Sequence, residues 1–209
     1  MKNTLRIGKF LISTGVNGPG KRFVIWFQGC PLRCKGCFNP EFWDEKGGIL
    51  MSIDDVMECI NRAKGIEGVT FTGGEPLMQV EPLLELTKRI KEKGLTILCY
   101  TGYTYEEIMN ERVPGAKELL KWFDILIDGP YKEEEKAPLL WRGSKNQKVY
   151  FLTERYKYLE PLVLREGLRE VELRISTGEI TMTGIFDTIL WEKLIKKLIE
   201  KKNKLNCKT

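Results

Sequence analysis

No histidine occurs anywhere in the 209 residues. That absence removes Cys/His zinc fingers, His-ligated iron and every mechanism that needs an imidazole base. Also missing is any run approaching the roughly 18 apolar residues that span a bilayer. Met1 to Ser13 lacks an uninterrupted apolar stretch and a small-residue cleavage site, so no leader is read there. The expectation is a soluble, cytoplasmic protein with no membrane contact, whose six cysteines form no disulfide framework. A strong excess of one charge sign is lacking too, the net charge being mildly positive. Lys and Arg number 34 against 29 Asp and Glu, well mixed, so direct nucleic-acid binding is not expected. Internal repeats and low-complexity tracts are absent.

What is present is concentrated in one run, GCPLRCKGC, with Cys30, Cys34 and Cys37. The spacing Cys-x3-Cys-x2-Cys is one ligand short of an ordinary iron–sulfur cluster or a closed zinc site, each of which takes four. Three thiolates on one short loop can hold three irons of a 4Fe–4S cluster and leave the fourth iron open to a small molecule. Structural zinc would need a fourth ligand that the sequence does not obviously supply, and Cys207 stays open as a fourth cluster ligand with nothing near it in support. Cys59 on a helical stretch, Cys99 at the end of a strand and Cys207 in the tail read as small apolar residues or free thiols.

From Arg22 to Asp128, buried-type strands alternate with helical patterns. The strands are Phe23–Phe27, Val69–Phe71, Thr96–Cys99 and Asp124–Ile127, with a further one at 149–152. Ser52 and Asp55 form a capping box ahead of Ile53, Val56, Met57 and Ile60. A second helix carries Leu83, Leu84, Thr87 and Ile90 and stops at Gly94; a third region from Tyr105 to Trp122 is interrupted at Pro114-Gly115. This βαβα order predicts a parallel sheet with right-handed crossovers. GPYKEEEKAP reads as an exposed loop, residues 171–183 as a hairpin turning at Thr177-Gly178, and the end as an amphipathic helix with Trp191, Leu194, Ile195, Leu198 and Ile199 on one side.

The chemistry-bearing motifs all fall at the carboxyl ends of the predicted strands, where α/β folds place their sites. The cysteine loop follows the first strand. Gly73-Gly74-Glu75 ends the second, with glycines that let backbone approach a ligand and a carboxylate that can accept from an ammonium group. Thr101-Gly102 ends the third and suits a ribose, and Asp128 ends the fourth. Taken singly, GGEP can be a plain βα turn and Asp128 a helix cap or turn residue.

In combination, GCPLRCKGC and TGGEP resemble the radical S-adenosylmethionine superfamily, and more narrowly the activating proteins of anaerobic (class III) ribonucleotide reductases. The supporting stretches are 17–44, 70–77, 99–107, 123–131 and 141–147, within about residues 5 to 152. Gly36 stands where many superfamily members carry an aromatic residue, and favours the narrower group. The resemblance implies an α/β fold, a partial TIM-like βα barrel of about six strands over residues 1–160. A C-terminal β-hairpin and helix at 161–209 would pack on it.

It also implies that Cys30, Cys34 and Cys37 ligate a 4Fe–4S cluster whose open iron chelates S-adenosylmethionine. Gly73, Gly74 and Glu75 would hold the methionine ammonium, and Gly36, Cys37 and Phe38 would lie along the adenosyl portion. Thr101, Gly102 and Asp128 complete the implied cofactor set. Reductive cleavage would release a 5′-deoxyadenosyl radical that takes hydrogen from a glycine on a large glycyl-radical enzyme, with a flavodoxin- or ferredoxin-type electron donor. Arg22, Arg142, Asn146 and Gln147 are candidates for partner or loop contacts. Rival readings are activation of pyruvate formate-lyase or another glycyl-radical enzyme, and radical chemistry on a small molecule such as a deazapurine precursor. A plain electron carrier has no use for GGEP and normally has a fourth thiolate.

Overall fold

The computed structural model describes residues 3–168, 170–176, 179–185, 192–193 and 195–197. In chain order the elements are β1 (Thr4–Thr14), β2 (Lys21–Phe27), β3 (Ile49–Ser52), α1 (Ile53–Arg62), β4 (Gly68–Gly73), α2 (Val80–Glu92), β5 (Thr96–Tyr100), α3 (Tyr105–Met109), α4 (Ala116–Leu119), β6 (Ile125–Asp128), β7 (Lys136–Leu139), β8 (Arg142–Ser144), β9 (Lys148–Phe151), α5 (Glu160–Val163), β10 (Val171–Ser176) and β11 (Glu179–Gly184). The expected terminal helix residues Trp191, Leu194, Leu198 and Ile199, the turn Thr177-Gly178, and Cys207 lie outside the described residues.

The local signals act where the sequence puts them. Ser52 and Asp55 cap α1 reciprocally, and α1 buries Ile53, Val56, Met57 and Ile60. Thr104 and Glu107 repeat the device at α3. α2 buries Leu83, Leu86, Thr87 and Ile90, and beyond it Gly94 takes the left-handed conformation (φ 73°) that favours glycine at a helix end.

A seven-stranded sheet of order β3-β1-β2-β4-β5-β6-β9 organises the molecule. The pairs β2–β4, β4–β5 and β5–β6 are parallel, whereas β1, β3 and β9 pair antiparallel at the two edges. The fold is thus α/β around a mixed sheet, not an all-parallel one. β1 was not anticipated from the sequence. A register shift between Ile7 and Lys9 breaks its alternation, and that period of two is the only signal an amphipathic strand offers.

Each central strand alternates between two covered faces. Phe23, Ile25, Phe27, Val69, Phe71, Ile97, Cys99 and Leu126 join the helices in the largest core cluster. On the opposite face, Leu98, Ile125 and Ile127 meet Leu140, Trp141, Tyr156 and Val163, and Val24 and Trp26 meet Phe42. Each such fully buried side chain contributes about 1.5–3 kcal/mol of transfer free energy.

Arg22 is structural and far from the cysteine edge, since it opens β2. Its buried guanidinium donates to Thr70 Oγ1 (2.7 Å), Val69 O (2.7 Å), Pro19 O (3.2 Å), Thr96 Oγ1 (3.1 Å) and Thr96 O (3.2 Å). Burial lowers its pKa, and Tyr156 opposes that shift. This network sews the amino ends of β2, β4 and β5 together, leaving the carboxyl ends for chemistry.

Candidate functional site

The cysteine loop is pinned at its neck. Gly29 N–H donates to Phe42 O (2.9 Å), Cys30 N–H to Trp43 O (3.2 Å) and Gln28 Nε2 to Asp44 O (2.8 Å). Inside it, Arg33 (φ 45°) and Gly36 (φ 73°) reverse the chain, and Cys37 N–H donates to Cys34 O (3.1 Å). All three thiols therefore line one cavity of about 270 Å³. Burial pushes the Cys30 thiol pKa up, opposed by the backbone N–H groups of Leu32 and Arg33. Burial does the same at Cys34, opposed by the backbone of Tyr131 and reinforced by the neighbouring Cys37.

Gly73-Gly74-Glu75 is zipped to the root of that loop. Gly74 N–H donates to Phe27 O and Glu75 N–H to Gly29 O, both at 2.8 Å. A Cβ on Gly73 would lie 2.7 Å from backbone atoms of Trp26 and Phe27, and one on Gly74 would overlap the Gly29 carbonyl. The two glycines thus serve first to bring two strand ends into contact.

Glu75 is buried, with three donors on its carboxylate: Leu77 N–H (2.9 Å), Thr101 Oγ1 (2.8 Å) and Gly102 N–H (2.8 Å). Desolvation outweighs these bonds and its pKa is pushed up to about 7. Thr101 and Gly102 have Glu75 as their immediate partner, a nearer role than the ribose contact expected of them.

A pH dependence follows. The folded carboxyl keeps a proton that the unfolded chain has released, so stability falls as pH rises from the ordinary carboxylate range to about 7 and is level above it. In urea unfolding of the cofactor-free protein, the loss between pH 5 and pH 8 attributable to Glu75 is roughly 3 kcal/mol. Glu75→Gln flattens that slope; an unchanged slope would rule out Glu75 as its source.

The structure brings Cys30, Cys34, Cys37, Phe38, Gly73, Gly74, Glu75, Thr101 and Gly102 to the cavity wall, and Gly129 and Gln147 with them. Gly36 and Asp128 are not in that wall. Gly36 faces Glu133 and Tyr131, and Asp128 accepts from Tyr105 N–H (2.7 Å) and Lys148 N–H (3.1 Å), the capping and turn role open to it from the start. Arg142, Asn146 and Gln147 make internal loop contacts, to Gln147 O (3.1 Å), Pro130 O (2.7 Å) and Gly129 O (3.1 Å) respectively.

Sequence reasoning missed Lys9, Asn17, Trp26, Trp43, Tyr131, Gly143 and Met182, which also line the cavity. Only Trp26 had a signal, its membership of the buried FVIWF strand that leads into the cysteine loop. Lys9 sits over the Trp26 ring (5.9 Å), and Phe38 packs edge-on against Tyr131 (5.1 Å).

The residues present fit an iron–sulfur cluster with a second small molecule beside it. Three thiols share one pinned loop, glycine backbone forms the floor, and a Cβ on Gly102 would overlap Leu32. Trp43 lines the cavity as well, and its indole N–H is buried with no hydrogen-bond partner among the described residues. Among the described residues no three Cys, Asp or Glu converge as a single metal ion requires. Thiolates that each take a different iron need no such convergence.

Residues 16–150 match the 4Fe-4S single cluster domain family. The anaerobic ribonucleoside-triphosphate reductase-activating protein of Enterobacteria phage T4 is 35% identical over 147 residues, covering 66% of this chain and 89% of that protein. Its counterpart from Haemophilus influenzae is 37% identical over 146 residues, covering 65% and 90%. This chain belongs to the reductase-activating protein family. The pyruvate formate-lyase-activating enzyme of Clostridium pasteurianum is 42% identical over 118 residues, but the match covers 54% of this chain and only 46% of that enzyme. The family's shared portion holds the cysteine loop and every strand end of the site; the hairpin β10–β11 lies beyond the residues matched to the cluster-domain family. Among the described residues, no helix of this activating-protein homologue is long and apolar enough to cross a membrane.

Proposed function

We propose that this protein is a radical S-adenosylmethionine activase that generates a glycyl radical on an anaerobic ribonucleotide reductase. The observation that carries the proposal is the meeting of Cys30, Cys34 and Cys37 with Gly73, Gly74 and Glu75 around one cavity, on a chain whose activating-protein relatives are covered over about nine-tenths of their length. The cofactors are a 4Fe–4S cluster and S-adenosylmethionine. When bound, they supply an electron and a cleavable sulfonium.

The chain's own residues do the rest. Cys30, Cys34 and Cys37 would hold the cluster. The Gly73–Gly74 backbone and Glu75 would hold the amino group of the methionine portion, and Phe38 would lie along the adenosyl portion. Thr101 and Gly102 hold the Glu75 carboxylate in place, and Trp26, Trp43 and Tyr131 exclude water. No proton needs to be moved by a side chain, so the missing histidine costs nothing. In this reading β2, β4, β5 and β6 are the parallel part of an incomplete βα barrel. Residues 1–160 would form the core domain, with the hairpin β10–β11 of the 161–209 addition packed on it. A flavodoxin or ferredoxin in a reducing cytoplasm is the electron donor.

The longer coverage of the reductase-activating relatives favours this partner over pyruvate formate-lyase. The test is anaerobic reconstitution and reduction, followed by 5′-deoxyadenosine assay with and without the reductase of the same organism. S-adenosylmethionine cleavage together with a glycyl radical signal on the reductase is expected. Absence of cleavage would sink the radical reading, and cleavage without the radical signal would sink the partner.

A further inference from the structure

Although β10–β11 lies beyond residue 150, Met182, Thr183, Gly184 and Ile185 line the same cavity as the three cysteines and Glu75. Its register explains which side is docked. Directly opposed residues share a face, so Glu172 goes with Thr183, and Leu173 with Met182. The first face is polar and anchored: Ser13 Oγ donates to Glu172 Oε2 (2.9 Å), and Asn17 Nδ2 donates to Thr183 Oγ1 (3.0 Å) and Ser13 Oγ (2.9 Å). Trp141 Nε1 donates to Gly15 O (3.1 Å), steadying the turn that carries Asn17. The second face is apolar. Leu173 and Ile175 are 40% and 69% exposed, and Met182 continues that strip into the cavity wall.

We propose that this hairpin is a selecting wall for a polypeptide substrate, with Met182 lying against an extended peptide segment. The inference rests on the cofactor reading of the cavity given above. Two features favour a peptide over an enclosed small molecule. The hairpin face that carries Met182 is apolar, whereas the rest of the lining includes the three thiols and Glu75. It also runs without a break from the cavity to solvent-exposed Leu173, which only a substrate extending out of the site can use.

The test uses full-length protein with three readouts. They are S-adenosylmethionine binding by the cluster-loaded form, association of the cluster-free form with the anaerobic ribonucleotide reductase of the same organism, and the glycyl radical yield on that reductase. Met182→Trp overfills the wall and is expected to weaken association and lower the radical yield about tenfold, with S-adenosylmethionine binding within about twofold of wild type. Met182→Ala, which cannot clash, shifts the same two readouts by about threefold and carries the test if the larger residue impairs folding in thermal melts. Association and yield unchanged in both variants would overturn the proposal. So would a parallel loss of S-adenosylmethionine binding, which would place Met182 on the cofactor. Wild-type protein that binds no S-adenosylmethionine would sink the cofactor reading itself.

Discussion

Cys34→Ala is expected to lose the cluster completely: iron content falls from about four per chain to background, and the thiolate-to-iron absorption disappears. The magnitude follows from the ligand count. Three thiols supply the proposed set, and two cannot hold three irons. No described cysteine can stand in. Cys99 is fully buried on the helix-covered face of β5, away from the cavity, and burial raises its pKa well above the usual thiol range. Cys59 lies on α1 and packs against the same helical core. Cys59→Ala therefore keeps the full iron complement, and a cluster lost in that variant would overturn the ligand assignment. Neither change touches a core hydrogen bond, so Cys34→Ala also melts within a few degrees of the cluster-free wild-type protein.

Gly74→Ala is expected to cost about 2–3 kcal/mol of stability and to weaken S-adenosylmethionine binding about a hundredfold. Its new methyl group would overlap the Gly29 carbonyl and lie 2.8 Å from the Phe42 carbonyl oxygen. Both are backbone groups, and neither can rotate aside as a side chain would. Relief requires the GGE segment to part from the cysteine loop, breaking the Gly74–Phe27 and Glu75–Gly29 hydrogen bonds that hold the two halves of the site together. Gly94→Ala is the control. There a Cβ would meet nothing within 4 Å, and only the left-handed backbone (φ 73°) is strained, at a cost of about 1 kcal/mol and no effect on binding. Urea unfolding and calorimetry on the two variants separate contact from conformation; equal effects in both would refute the close-approach account.

Much of this was legible because its signals are local. The strand FVIWF, the Ser52–Asp55 box, the stop at Gly94 and the cysteine triplet each declare themselves within a dozen residues. Where a signal was diluted, it failed. β1 is long but its bulge breaks the alternation, and the antiparallel β9 cannot be told from a parallel strand when it is short and apolar. Asp128 and Glu75 show the same limit within the site. Both are acidic residues at strand ends whose oxygens accept backbone N–H groups, yet Glu75 lines the cavity and Asp128 does not.

The sequence by itself determined the chemistry: three thiols in nine residues, a Gly-Gly-Glu step at another strand end, and no histidine to support any imidazole-based alternative. Those are covalent and spacing facts, independent of how the chain packs. Only the tertiary structure decided which groups meet. It set Thr101 and Gly102 on Glu75, pressed Gly74 against Gly29, placed Trp43 in the cavity that the thiols line, and swung Met182 from a distant hairpin into the same wall. Such contacts join residues up to about 150 positions apart, and their energies depend on burial and register, which exist only once the sheet has formed.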